Sequence, residues 1–323
     1  MNIFRKLVYF GKIFTIILCI YLILASKFIF IFQLKSEREY KYFFCYVSLG
    51  KLENKYAKEI IEHYQKLGVN KFFLGDNNDK NSESLSDILK DFLKERLIEI
   101  EIIDLIGIKK DQTEFFGESY EKHKTECKWM SFFDFDEFLD FNQKSKNLTL
   151  QTYLSELQFD KCNVILNNWV ISNDNNLVKY DKRSLNKRFT NFLYNSKDNR
   201  FIKSIIRGNL KNNPWEYNQT SHRPKYGIKT CDSNGNHVKT FNDVIYPPKF
   251  DNTYIKHFVT KSVQEYVEKI KRGHPSENTP LNLWIENFFK FNKATKEKVL
   301  YLEKKLNVSL KNYYYFYGSR FQK

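Results

Sequence analysis

The chain has no G-x-S-x-G, no H-E-x-x-H and no P-loop. Its sequence therefore gives no support to a serine hydrolase, a zincin or a P-loop enzyme. Five Cys occur without a single C-x-x-C pair, so a zinc site has no framework. No internal repeat is present. There is no compact basic arm and no RGG-like or zinc-finger pattern, although the net charge is +15. The Lys residues are spread along the whole chain. Asn, Ile, Phe and Tyr are abundant beside them, so the charge reads as compositional bias. The rival reading, a basic nucleic-acid-binding protein, is disfavoured on that ground, and no nucleic-acid partner is expected.

What is present begins with an N-terminus set apart from the rest. Residues 1–12 form a basic tail with Arg5, Lys6 and Lys12. Ile13 to Phe32 is apolar on all faces, broken by Lys27, and about as long as a bilayer is thick. Lys27 is near enough to the far end to snorkel. No small-x-small cleavage site follows, so an uncleaved transmembrane anchor is expected rather than a signal peptide. Residues 33–41 read as a short polar stem, 42–310 as one catalytic-size domain and 311–323 as an aromatic tail. Outside the anchor, Cys45, Cys127, Cys162 and Cys231 are either two disulfides of an oxidising lumen or small buried apolar residues. Asn147, Asn218 and Asn307 each start a glycosylation sequon.

From Tyr42 onward, strand and helix patterns alternate. Tyr42 to Ser48 reads as a strand, and Glu53 to Leu67 as a helix stopped by Gly68. Strands follow at Lys71 to Leu74 and Leu97 to Ile103. Helices are expected at Ser82 to Glu95 and at Gln112 to Lys128, and a further strand starts at Trp129. This order predicts an α/β domain with a mainly parallel sheet flanked by helices. Beyond Asp140 the pattern is mixed. Strands are expected near Asn163 to Ile171 and Phe201 to Arg207, and helices at 263–272, 281–291 and 293–306.

The run Trp129-Met-Ser-Phe-Phe-Asp134-Phe-Asp136-Glu137-Phe-Leu139 ends an apolar stretch in two carboxylates. Alternate strand residues share a face, so Asp134 and Asp136 can converge. Buried together they need a cation or hydrogen-bond donors, and a divalent ion bridging to a diphosphate supplies the first. Asp76 also follows a strand. Ligands of such sheets sit beyond the C-terminal strand ends, so both sites are expected on one edge.

Seven segments in order resemble the glycosyltransferase family 92 group and its capsule-type relatives, over roughly Tyr42 to Leu306. They are Glu59-Ile-Ile-Glu62-His-Tyr-Gln-Lys-Leu67-Gly68-Val69 with Phe72 to Asn77; Trp129 to Leu139; Trp169 to Asn175 with Arg188-Phe189; Lys203 to Gly208; His222-Arg-Pro224; Tyr254 to Ser262; and Lys271-Arg272-Gly273. Ile60 stands where the family usually has Trp, His63-Tyr64 reverses the usual order, and Lys51-Leu52-Glu53 replaces Lys-Asn-Glu. The resemblance implies a GT-A fold and transfer of a hexose, often galactose, from a UDP-sugar to a glycan acceptor. Mn2+, or Mg2+ in its place, is the implied cofactor.

Roles follow from that resemblance. Asp136 is the expected metal ligand, with His257 completing the shell or serving only as a core histidine. Asp134 shares the metal or reaches the ribose, and Glu137 forms a salt bridge or cap. Lys261 is expected on the diphosphate, and Lys51, Asp76 and Asn77 on the nucleotide-sugar. Asp174 and Glu216 are the candidate general bases. Trp215 and His222 are the candidate acceptor contacts, with loop packing the plain reading of Trp215. With the anchor, the expected placement is a single-pass membrane protein; basic residues on both sides of the segment leave its orientation open, and a type II arrangement with a lumenal catalytic domain is expected in a eukaryotic or viral setting. The rival within the same fold is an inactive relative that only binds glycan.

Overall fold

The computed structural model describes Tyr21 and residues 40–94, 98–143, 148–215, 220–224, 228–239, 243–273 and 279–310. The chain divides into two compact units, Met1–Lys41 and Tyr42–Lys323. The anchor expected over residues 13–32 lies outside the described residues except at Tyr21. Among the described residues no helix is long and apolar enough to cross a membrane. The expected transmembrane helix is therefore withdrawn. The membrane partner and the single-pass lumenal placement that rested on it go with it.

In the second unit the described residues form β1 (Tyr42–Gly50), β2 (Lys71–Asp76), β3 (Glu99–Asp104), β4 (Cys127–Phe132), β5 (Glu137–Phe141), β6 (Val164–Ile171), β7 (Ile202–Arg207), β8 (Thr230–Asp232) and β9 (Thr253–His257). They make one sheet in the order β3-β2-β1-β4-β7-β6-β9-β5, with β8 beside β6. The first four strands are parallel. The sheet as a whole is mixed, which corrects the mainly parallel expectation. β7 runs antiparallel to β4 and β6, and β5 antiparallel to β9. The physical reason lies in the connections. Parallel neighbours need a crossover, usually a helix, and strand–helix alternation stops at β4.

Two long helices serve the parallel half. In α1 (Asn54–Lys66), Tyr56, Ala57, Ile60, Ile61 and Tyr64 form the buried stripe, and Gly68 at φ 93° ends it. α2 (Gln112–His123) starts where the Asp111 side chain accepts from the Thr113 and Glu114 amides. It stops short of the expected Lys128 because β4 begins at Cys127. The helix expected over Ser82 to Glu95 shrinks to one turn, Leu85–Leu89, and a 3-10 turn at Phe92–Lys94. Three further helices pack on one another at the C-terminal end: α3 (Val263–Arg272), α4 (Leu281–Phe291) and α5 (Lys296–Leu306).

Apolar clusters lie on both faces of the sheet. Cys45–Cys127 ties β1 to β4 and Cys162–Cys231 ties the start of β6 to β8, with Cα–Cα distances of 6.0 and 5.8 Å. Of the two readings open for these cysteines, the disulfides are the one the fold adopts. Asn307 is the described sequon asparagine, exposed at the left-handed end of α5, and Asn147 and Asn218 lie outside the described residues.

Candidate functional site

The turn between β4 and β5 carries the two acids. The Phe133 amide still donates to the Val47 carbonyl, and then the chain leaves the sheet, with the Glu137 amide donating to the Asp134 carbonyl. Phe135 closes over Gly50 at the end of β1. A Cβ on Gly50 would lie 2.3 Å from that ring, so the approach requires glycine. Strand alternation therefore does not run through Asp134 and Asp136, and their side chains meet different partners.

Asp134 is held by Lys203, whose Nζ is 3.0 Å from Oδ2, and by the side-chain Nε2 of Gln112 at the start of α2, which donates to Oδ1. Lys203 also lies 3.4 Å from Glu137 Oε2, and that oxygen accepts from the Asp134 amide at 2.9 Å. One cation thus serves two acids. Burial pushes the Glu137 carboxyl well up, against the pull of Lys203. Burial acts the same way on Asp134, but Lys203 holds it below its usual value.

Asp136 meets Lys261 and His257. Lys261 Nζ is 2.6 Å from Oδ2, and His257 Nε2 is 3.6 Å from Oδ1. Sheet register brings these residues together. His257 is opposite Glu137 across β5–β9 and beside Ile171 across β6–β9, and the Phe258 amide donates to the Asp136 carbonyl at 3.0 Å. Burial would push the Asp136 carboxyl up, but Lys261 foremost holds it well below the carboxylate range. Burial pushes the His257 imidazole down to about 3, so the ring is neutral at pH 7. The 3.6 Å gap is too long for a hydrogen bond. Nδ1 of the same ring is buried without a partner among the described residues.

Trp169 joins this imidazole to a second one. Its ring is 4.2 Å from that of His257 and 5.0 Å from that of His222. His222 Nδ1 donates to the Ile202 carbonyl at 3.1 Å, since a carbonyl only accepts. Burial and then Lys203 push this ring down to about 4, which leaves the Nε2 lone pair available.

Beside Lys261 opens a cavity of about 400 Å³, between residues 51–53, the start of α1 and α3. Lys51, Lys55, Lys261, Lys269, Lys271 and Arg272 bring six cations to its wall. Glu53, Asp79, Glu265 and Glu268 bring four carboxylates. Arg272 pairs with Glu53 at 3.1 Å and donates to the Lys51 carbonyl at 2.7 Å, fixing the stretch after β1. Lys51 is half-exposed, 3.6 Å from Asp79. Lys269 donates to the Val259 carbonyl at 3.1 Å. Among the described residues neither Lys269 nor Lys271 has a carboxylate in ion-pair range.

The model of glycosyltransferase family 92 matches residues 40–288. The chain belongs to this family. At the family level it is a glycosyltransferase, and therefore an enzyme. No curated protein matches the chain.

Some expected site residues of this family member are occupied elsewhere. Asp76 accepts from the Leu85 amide at 2.7 Å and from Asn78 Nδ2 at 2.6 Å. Asn77 donates to the carbonyls of Leu105 and Ile108. Asp76 therefore holds the start of the Leu85–Leu89 turn, and Asn77 ties the end of β2 to the segment after β3. Asp174 is buried in an ion pair with Lys298 at 2.6 Å, and its amide donates to Asn292. Trp215 packs its buried ring on Phe116 and Phe132, with centroids 5.5 and 5.1 Å away, which leaves no open face for a sugar. Glu216 lies outside the described residues. Lys203, Trp169, Lys269 and Arg272 were not among the expected site residues. For Lys203 a signal existed: a lone lysine inside the apolar strand Ile202–Arg207 must find a buried partner.

Among the described residues no three His, Cys, Asp or Glu side chains converge as a metal shell. Two do approach one point, Asp136 Oδ1 and His257 Nε2. A neutral imidazole facing a carboxylate without a hydrogen bond is a donor set a divalent cation would satisfy. Mn2+ or Mg2+ often takes only one or two protein ligands and fills its shell with substrate oxygens and water. The pair fits such an ion, and Asp134, already held by Lys203 and Gln112, is not needed for it.

Proposed function

We propose that this enzyme transfers a hexose, galactose in the first instance, from a UDP-sugar to a glycan acceptor with Mn2+ or Mg2+ as cofactor. The observation that carries the reading is the cleft with six cations and four carboxylates, which runs up to the Lys261–Asp136 pair. A nucleoside diphosphate has the charge that such a wall lacks, and a cleft of this size suits a small ligand. Asp136 and His257 would hold the cation, which neutralises the diphosphate and stabilises it as it leaves.

The remaining roles belong to the chain. Lys261 and Lys269 bind the diphosphate and stabilise its developing charge. Lys51 stands at the mouth of the same cleft. Asp134, fixed by Lys203, shapes the turn. His222, with Nε2 available next to Trp169, is retained as an acceptor contact. Glu216 is retained as the base that removes the acceptor proton if the reaction inverts. In support, Trp215, the residue just before Glu216, packs against Phe132 at the end of the strand that leads to Asp134.

UDP release from a panel of UDP-hexoses, with and without a chelator, tests the reading. Turnover of at least one donor, lost in chelator and restored by Mn2+, is expected. Glu216→Gln should lower kcat about a hundredfold with donor KM unchanged. Binding of glycan without turnover of any donor would favour the inactive relative instead.

A further inference from the structure

We propose that Lys261 is an exchangeable counter-ion. It neutralises Asp136 while the cleft holds no donor, and it yields that carboxylate to a divalent cation and turns to the diphosphate when donor binds. The inference rests on the reading of the cleft as the donor site.

A carboxylate as buried as that of Asp136 cannot stand without positive charge nearby. Lys261 supplies it at 2.6 Å through Oδ2. The other oxygen faces His257 Nε2 at 3.6 Å, with no hydrogen bond between them. Half of this site is thus satisfied by a lysine, and in the other half a carboxylate oxygen and an imidazole nitrogen face each other without a hydrogen bond. A cation between Oδ1 and the imidazole would complete it, and would then repel the ammonium on Oδ2.

The setting of Lys261 allows it to move. Lys203 is fully buried between two acids, and Lys298 is held by Asp174, the Asn176 side chain and the Lys293 carbonyl. Lys261 lines the open cleft. Besides Asp136 it has only the Tyr56 ring, 4.9 Å from Nζ, among its described contacts. Its backbone sits at φ 56°, a left-handed conformation unusual for a lysine, just before the Ser262 capping box of α3. That turn brings the side chain back toward Asp136 from the cleft wall. Lys269, without a carboxylate in range, adds a like charge beside it. The wall therefore has positive charge to give to an incoming diphosphate.

The test measures binding, not turnover. Mn2+ and UDP are titrated separately into wild type, Lys261→Met and Lys261→Gly. The glycine variant suits the left-handed backbone, and melting curves confirm that both variants are folded. Without nucleotide, both should bind Mn2+ about tenfold more tightly than wild type, because the competing ammonium is gone. Without metal, both should bind UDP about tenfold more weakly, because a diphosphate contact is gone. Lys261→Arg, which keeps the charge, should bind Mn2+ like wild type. Mn2+ affinity that stays the same or falls in the Met and Gly variants overturns the exchange. Failure of wild type to bind UDP at all, with Mn2+ affinity raised in the variants, overturns the donor reading while leaving the competition at Asp136 standing.

Discussion

Two buried aspartates in this protein each have a lysine ammonium at 2.6 Å, Asp136 with Lys261 and Asp174 with Lys298. As pairs they are the same object, yet their surroundings differ. Asp174 accepts from the Asn176 amide through Oδ1 and faces Lys298 through Oδ2, and Lys298 has two further oxygens, so that pair is enclosed by the fold on all sides. Asp136 has an unpaired imidazole on one side and a lysine-rich cleft on the other. Burial raises the Asp174 carboxyl despite Lys298. Lys261, with Lys269 adding to it, drives Asp136 the opposite way. A buried ion pair alone is thus no sign of function. Surplus charge and an unsatisfied neighbour beside an opening are what set one pair apart.

The sharpest way to break this contrast is to neutralise each acid. Asp136→Asn should lower UDP-sugar turnover per folded molecule by about a thousandfold, because the lost charge acts on the reacting complex. Near-wild-type turnover in that variant would erase the distinction. Asp174→Asn should do the reverse. It leaves Lys298 buried without its counter-charge, so stability should fall by about 3–5 kcal/mol in denaturant titrations. Turnover per folded molecule should hold. A selective loss of kcat in stable Asp174→Asn protein would restore it as a base.

How much of this was legible beforehand depended on whether the signal was local. Helices 263–272 and 281–291 were readable to the residue, because a capping serine or an apolar stripe marks their limits. Asp136 and His257 were singled out, but strand alternation was the wrong reason for the acids, since Phe135 folds over Gly50 and the chain turns there. Lys203 escaped notice because its partners, Asp134 and Glu137, lie on another strand end. Asp76, Asn77 and Trp215 looked functional because polar turn residues and aromatics serve both packing and binding. Only their contacts decide between the two, and contacts over such sequence distances leave no local pattern. The mixed sheet was missed for the same reason, as strand direction after β4 is fixed by long irregular connections.

Two smaller effects sharpen the split between frame and site. Replacing Cys45 and Cys127 together by Ala should cost about 2–4 kcal/mol, because the bridge closes a long loop between β1 and β4. Measured after reduction of wild type, a comparable loss is expected, and unchanged stability would deny the bridge a structural part. Trp215→Phe should cost about 1 kcal/mol from imperfect packing on Phe116 and Phe132. Its acceptor KM should stay at the wild-type value; a rise of KM without loss of stability would return Trp215 to the acceptor site.

The central claim is that the cleft beside Asp136 receives a nucleoside diphosphate and a divalent cation. Crystals grown with UDP and Mn2+, measured at the manganese absorption edge, test it directly. The account predicts one anomalous peak in contact with both Asp136 and His257, and a diphosphate within hydrogen-bonding reach of Lys261. UDP bound at a different place, with the Lys261–Asp136 pair intact and no manganese beside it, would contradict the account.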